Sequence, residues 1–88
     1  RTILELGCFF CENDKTNNAM ELYQYALDIE DSAENIYQAL IRVLNRLGRK
    51  AEAVEIYRRC RRMLKTKLGT EPSPPTQALY REMISSDG

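Results

Sequence analysis

The chain contains no histidine and no tryptophan, and only three cysteines, three prolines and four glycines among 88 residues. Histidine is the commonest metal ligand and the usual base beside a nucleophile. Its absence removes Ser-His-Asp and Cys-His catalysis and every mixed Cys/His zinc site. Cys8 and Cys11 form a C-x-x-C, but Cys60 alone remains to join them, one thiol short of a four-cysteine zinc site. A redox C-x-x-C follows a strand and opens a helix, a flank that LELGCFFCEN does not supply. On a helix the two cysteines are neighbours three apart, and free cysteine packs as a small hydrophobe, so a structural role is expected for them. No cofactor and no metal is expected. An odd thiol count fits a reducing compartment. With no apolar run of membrane length and no signal-peptide pattern, the expectation is a soluble, cytoplasmic chain. It opens on Arg1 rather than methionine, which suggests an excised part of a longer protein.

What is present is a small domain's worth of sequence, near the lower size limit for an independent core. Thirteen acids balance thirteen bases, but unevenly along the chain. Residues 1–35 hold eight acids against Arg1 and Lys15, and the remainder holds eleven bases against five acids. This is an internal charge dipole, not the uniformly basic footprint of a nucleic-acid binder.

The hydrophobic spacing is helical throughout, with no period-two stretch, so the fold class is all-α. The first helix spans about 2–12, with Ile3, Leu6 and Phe10 on one face. The second spans about 17–29, capped by Thr16 or Asn17, and carries Ala19, Leu22, Tyr23, Ala26 and Leu27. Asp31 or Ser32 caps a third that runs to Leu47, where Gly48 supplies a left-handed stop. The fourth spans about 50–68, with Ala53, Tyr57, Cys60, Leu64 and Leu68 in a row. After it, Gly69 ends the helix, Pro72 blocks continuation, and Ser73 followed by Pro74 reads as the cap and first residue of a fifth helix over 74–85. Leu79, Tyr80, Met83 and Ile84 form its apolar face.

Shifting the chain by 34 residues superimposes Leu6 on Leu40, Phe10 on Leu44, Ala19 on Ala53, Tyr23 on Tyr57 and Ala26 on Cys60, with Asp14 on Gly48. A 34-residue helix–turn–helix unit with small residues at the helix crossings resembles the tetratricopeptide repeat. Gly7 sits at that family's first-helix glycine, while Ile3 and Tyr37 replace its tryptophan, Ile41 its second glycine and Lys65 its closing proline. The expected architecture is therefore tetratricopeptide-like antiparallel helical hairpins in one domain. Repeat one covers 1–34, repeat two covers 35–68, and a Pro-rich turn with a closing helix covers 69–88.

A second resemblance is more specific. The string LGRKAEAVEIYRRCRRMLKTKLGTEPSPPTQALYREM resembles the C-terminal signature of the bacterial transcriptional activator domain. Gly48, Arg49, Ala51, Glu52, Ala53 and Tyr57 match its GR-x-AEA-x-x-x-Y helix. Leu64, Leu68, Gly69, Glu71, Pro72, Ser73, Pro74, Thr76, Leu79 and Tyr80 match the LG-x-EPSP-x-T-x-x-LY stretch that leads to its closing helix. Pro75 stands where that family often has an acid. The strong match covers 48–83, and the family's usual domain is longer, so this chain is expected to hold its C-terminal portion.

The resemblance implies a non-catalytic interaction module of a bacterial transcription regulator. It implies a winged-helix or other helix-turn-helix DNA-binding domain upstream in the same polypeptide, with docking between domains, self-association or contact with the transcription machinery as the module's task. DNA is then reached only through that separate domain. In repeats of this kind the first helix of each unit lines a concave groove. Its polar positions in repeat two, Asn35, Gln38, Arg42, Asn45 and Arg46, are the candidate partner contacts, and equally fit a solvated face. In repeat one the same face is Leu4, Cys8, Cys11 and Glu12, for which cover by an upstream helix is expected. Arg58, Arg59, Arg61, Arg62, Lys65 and Lys67 crowd one helix and could grip phosphates. They also suit a face paired with the acid-rich first third, near a helix C-terminus that favours positive charge. Two further functions compete: a general tetratricopeptide-type adaptor capturing short peptides with Arg42 and Arg46, and, well behind, a thiol redox enzyme using Cys8 and Cys11.

Overall fold

The computed structural model describes residues 3–85, which form five α-helices and, among the described residues, no strand. They are α1 (Ile3–Glu12), α2 (Thr16–Ile29), α3 (Glu34–Arg46), α4 (Lys50–Leu68) and α5 (Pro74–Ser85). Successive helices pack as antiparallel neighbours, α1 on α2, α2 on α3 and α3 on α4, and α5 folds back across α3 and α4. Because α3 meets α2, α4 and α5, it is apolar over most of its circumference. Ile36, Tyr37, Ala39, Leu40, Ile41, Val43 and Leu44 are all buried. Leu27 from α2, Ala53, Cys60 and Leu64 from α4, and Met83 from α5 complete the core around it. Each such aliphatic side chain contributes about 1.5–3 kcal/mol by leaving water.

The two hairpin turns are built alike. Asp14 (φ 60°) and Gly48 (φ 74°), 34 positions apart, both take the left-handed conformation. Lys15 donates its N–H to Phe10 O at 2.7 Å, and Arg49 donates to Leu44 O at 2.9 Å. Asp14 N–H reaches Cys11 O at 3.4 Å, and Gly48 N–H reaches Asn45 O at 3.1 Å. These are the paired bonds of a Schellman turn, repeated. Ala19 and Ala53, which follow the turns at equivalent places, are both fully buried where the helices cross.

Four local expectations are corrected. Thr16 and Asn17 do not cap α2: the cap position is Lys15, with no side-chain bond, because the turn's own backbone bonds set the re-entry point. Asp31 and Ser32 do not cap α3, whose cap position is Ala33. Ser32 gives its hydroxyl and N–H to Glu30 Oε1, at 2.6 and 3.2 Å, and the Asp31 carboxylate pairs with Lys67. Leu68 is 60 % exposed, since each four-residue step carries the row about 40° round the helix and off the core face. Ile84 is half exposed for a similar reason: α5 docks through the Thr76, Leu79, Tyr80, Met83 arc. On α1 the inward face is centred on Gly7, with Ile3, Leu4, Phe10 and Cys11 packing around it.

Candidate partner-binding groove

Gly7 determines how the groove is floored. Its Cα lies so close under the Tyr23 ring that a Cβ there would overlap the Tyr23 hydroxyl and the ring carbons next to it. The missing side chain therefore lets Tyr23 pass beneath α1, where it is buried and helps floor an open groove between α1 and α3. The groove encloses about 490 Å3 and is lined by Leu4, Cys8 and Cys11 from α1, Tyr23 from α2, and Ala39, Arg42, Val43 and Arg46 from α3. Burial pushes the Tyr23 phenol above its ordinary value, with Cys11 and Cys8 adding to the shift and the Arg42 guanidinium opposing it. The result is an apolar trough with two exposed guanidiniums one helical turn apart on one wall.

Of the five polar positions expected on this face, only Arg42 and Arg46 line the groove. Asn35 and Asn45 are exposed outside it, and Gln38 is turned to the other end of α3, where its Nε2 donates to Thr76 Oγ1 at 2.8 Å. Leu4, Cys8 and Cys11 form the facing wall. Tyr23, Ala39 and Val43 are not singled out for the groove from sequence; the available signal for the close crossing is Gly7, a glycine in mid-helix.

The basic helix is largely answered from within the fold. Arg58 pairs with Glu55 at 3.1 Å, and Arg61 and Lys65 both approach Glu71, at 3.3 and 3.4 Å. Arg59 lies over the Tyr37 ring at 5.9 Å and 4.0 Å from Asp28, and Lys67 pairs with Asp31. Arg62 has no ion pair among the described residues. Arg58, Arg61, Arg62 and Lys65, with Thr66, border a shallow depression on the outer side of α4.

The signature residues after α4 are structural. Gly69 is left-handed (φ 66°), as its position required. Pro72 is buried, and its carbonyl accepts from Gln77 Nε2 at 2.7 Å. Ser73 occupies the cap position of α5, with its carbonyl accepting the Gln77 N–H at 3.0 Å and Pro74 opening the helix. Tyr80 stacks on Tyr57 with ring centroids 4.3 Å apart and planes within 12°, which seats α5 on α4, and Leu79 packs beside them. Arg49 and Glu52 at the α4 entrance form a close pair, 2.8 Å.

The cysteines lack the setting of a redox pair. Cys8 lies midway along α1 and Cys11 in its last turn, so the pair does not open the helix as a redox C-x-x-C does. Burial pushes the Cys60 thiol up to about 12, with Glu34 adding to the shift. No group of three His, Cys, Asp or Glu residues among the described residues is placed to hold a metal ion, and no helix among them is long and apolar enough to cross a membrane.

A family model described as the bacterial transcriptional activator domain matches residues 8–84. The chain belongs to that family. As a bacterial transcriptional activator domain it is a regulatory, all-helical unit, and the match runs from the middle of α1 through α5. Among characterised relatives it is similar to the regulatory protein AfsR of Streptomyces coelicolor, 37 % identical over 54 residues. That alignment takes in 61 % of this chain and 5 % of AfsR, so the chain spans a small fraction of that relative's length. No solved structure matches the chain.

Proposed function

We propose that this bacterial transcriptional activator domain is a non-catalytic protein-interaction module of a DNA-binding regulator that acts in the cytoplasm. In this reading a separate DNA-binding domain of the same polypeptide reads the promoter. The α1/α3 groove is the docking surface, with Arg42 and Arg46 as its polar contacts. The observation that supports it is the groove itself: an apolar trough kept open by the Gly7–Tyr23 crossing, bearing two exposed arginines that form no ion pair among the described residues. Apolar area with a few charged rim groups is the usual chemistry of a specific contact surface. The basic side of α4 is assigned a structural part, since four of its cations are paired internally. A general peptide adaptor would use the same groove, but the family match favours the regulator.

The test is Arg42→Glu with Arg46→Glu in the full-length regulator. Promoter affinity should be unchanged, and activation of transcription should fall. Activation equal to that of the unaltered regulator would refute the assignment of the groove.

A further inference from the structure

The inner side of α2 is committed to the core through Ala19, Tyr23 and Leu27. Its outer side carries Tyr25 and Ile29, 64 and 70 % exposed, the two most exposed large apolar residues among those described. Glu21 and Asp28 lie on the same arc: positions 21, 25, 28 and 29 follow the i, i+4, i+7, i+8 spacing of one helix face. Glu21 forms no ion pair among the described residues, and Asp28 meets only Arg59, at 4.0 Å with its carboxylate three-quarters exposed. Exposed pairs of that kind hold little and exchange readily. Apart from that exposed Asp28–Arg59 contact, this stripe of two apolar and two acidic side chains makes no ion pair with the rest of the described residues.

It complements the groove in both respects. The groove offers an apolar floor and wall from Leu4, Tyr23 and Val43, and two cations from Arg42 and Arg46. The stripe offers Tyr25 and Ile29 to the floor, and Glu21 and Asp28 to the cations. We propose that this chain self-associates head-to-tail, with the outer face of α2 of one copy seated in the α1/α3 groove of the next. The occupant of the groove is thus a second copy of the same chain. This rests on the reading of the groove as a docking surface. Because the two surfaces differ, the contact is heterologous and each added copy leaves one free groove and one free stripe. Opposed charges set orientation and encounter rate, so the association weakens as salt is raised.

The experiment is sedimentation equilibrium of the chain at low salt, from micromolar to millimolar concentration. Two charge-reversed variants are compared, Arg42→Glu/Arg46→Glu and Glu21→Lys/Asp28→Lys. All four positions are exposed, and circular dichroism checks that both variants keep their helix content. The unaltered chain should associate with rising concentration, and each variant alone should do so about tenfold more weakly or less, since like charges then face each other. An equimolar mixture of the two variants should recover association, because the reversed groove of one meets the reversed stripe of the other and the unaltered groove of the second meets the unaltered stripe of the first. A chain that stays monomeric throughout, or a mixture no more associated than its components, overturns the proposal. In that event, loss of activation by the Arg42→Glu/Arg46→Glu regulator would still uphold the groove and assign it another occupant. Normal activation would remove the groove reading as well.

Discussion

Thr76 and Glu34, separated by 42 positions, share a hydrogen bond of 2.5 Å in which the buried hydroxyl donates to the carboxylate. The same Glu34 oxygen accepts the Ser73 N–H and the Ser73 hydroxyl, both at 2.8 Å. In a capping box, a glutamate three residues after the cap reaches back to the cap residue's N–H. Here that third residue is Thr76, and a glutamate from the first turn of α3 does its work. The EPSP-x-T turn is thus a cap assembled from two distant segments. Thr76→Val, which keeps the shape and deletes the hydroxyl, should cost about 1–3 kcal/mol, and Glu34→Ala about 3 kcal/mol because three donors lose their acceptor. Urea denaturation reads both, and a midpoint unmoved by Thr76→Val would show that this bond does not hold α5.

The same carboxylate predicts an acid dependence. Burial alone would raise the Glu34 pKa, but the hydrogen bonds from Thr76 and Ser73 outweigh it and hold the group below its ordinary value. A group depressed in the folded state contributes stability above its unfolded pKa and loses it as pH falls through the folded one. Stability should therefore decline on acidification below about pH 4.5, the ordinary glutamate value. Glu30, held down by Ser32, and Asp31, held down by Lys67, act with the same sign. Comparing the unaltered chain with Glu34→Gln from pH 7 to pH 3 isolates the Glu34 share. The gap between them should narrow as pH falls, and a constant gap would contradict the assignment.

Gly7→Ala tests the crossing of α1 and α2. On an exposed helix this change stabilises by about 1 kcal/mol. At this crossing the added methyl meets the Tyr23 ring, and overpacking of that kind costs about 1–3 kcal/mol. Thermal unfolding should show net destabilisation, relieved in the Gly7→Ala/Tyr23→Leu double variant relative to the sum of the two single changes. Strict additivity would mean that the two residues do not meet.

The equivalent turn positions Asp14 and Gly48 make opposite predictions. Nothing lies within 4 Å of a Cβ placed on Gly48, so Gly48→Ala suffers only from its left-handed backbone and should cost about 1 kcal/mol. Asp14 already bears that strain, and Asp14→Gly should stabilise by up to about 1 kcal/mol. Equal and same-signed effects at the two sites, measured by denaturant midpoint, would be incompatible with one turn geometry at both.

Where a residue's effect is local, the chain was legible. The ends of α3 and α4 and the start of α5 fall where Gly48, Gly69 and Pro74 put them, because a left-handed stop or a missing N–H acts on the backbone within a residue or two. Of the positions that a 34-residue shift superimposes, Asp14 and Gly48 share a left-handed backbone, and Ala19 and Ala53 are both buried. The caps were misread at Thr16 and Ser32 because cap preference competes with tertiary bonds: a Schellman turn ahead of one, and Glu30 beside the other.

By itself, then, the sequence determined the all-α class, the helix limits set by glycine and proline, and the family. These depend on backbone sterics and on which faces are apolar, both written residue by residue. Only the tertiary structure decided that Glu34 caps α5 and that Gln38 serves Thr76 rather than the groove. It alone decided that Arg42 and Arg46 meet Leu4, Cys8 and Tyr23 across an open trough. Those relationships depend on the angle at which packed helices cross, which brings together side chains that no local spacing connects.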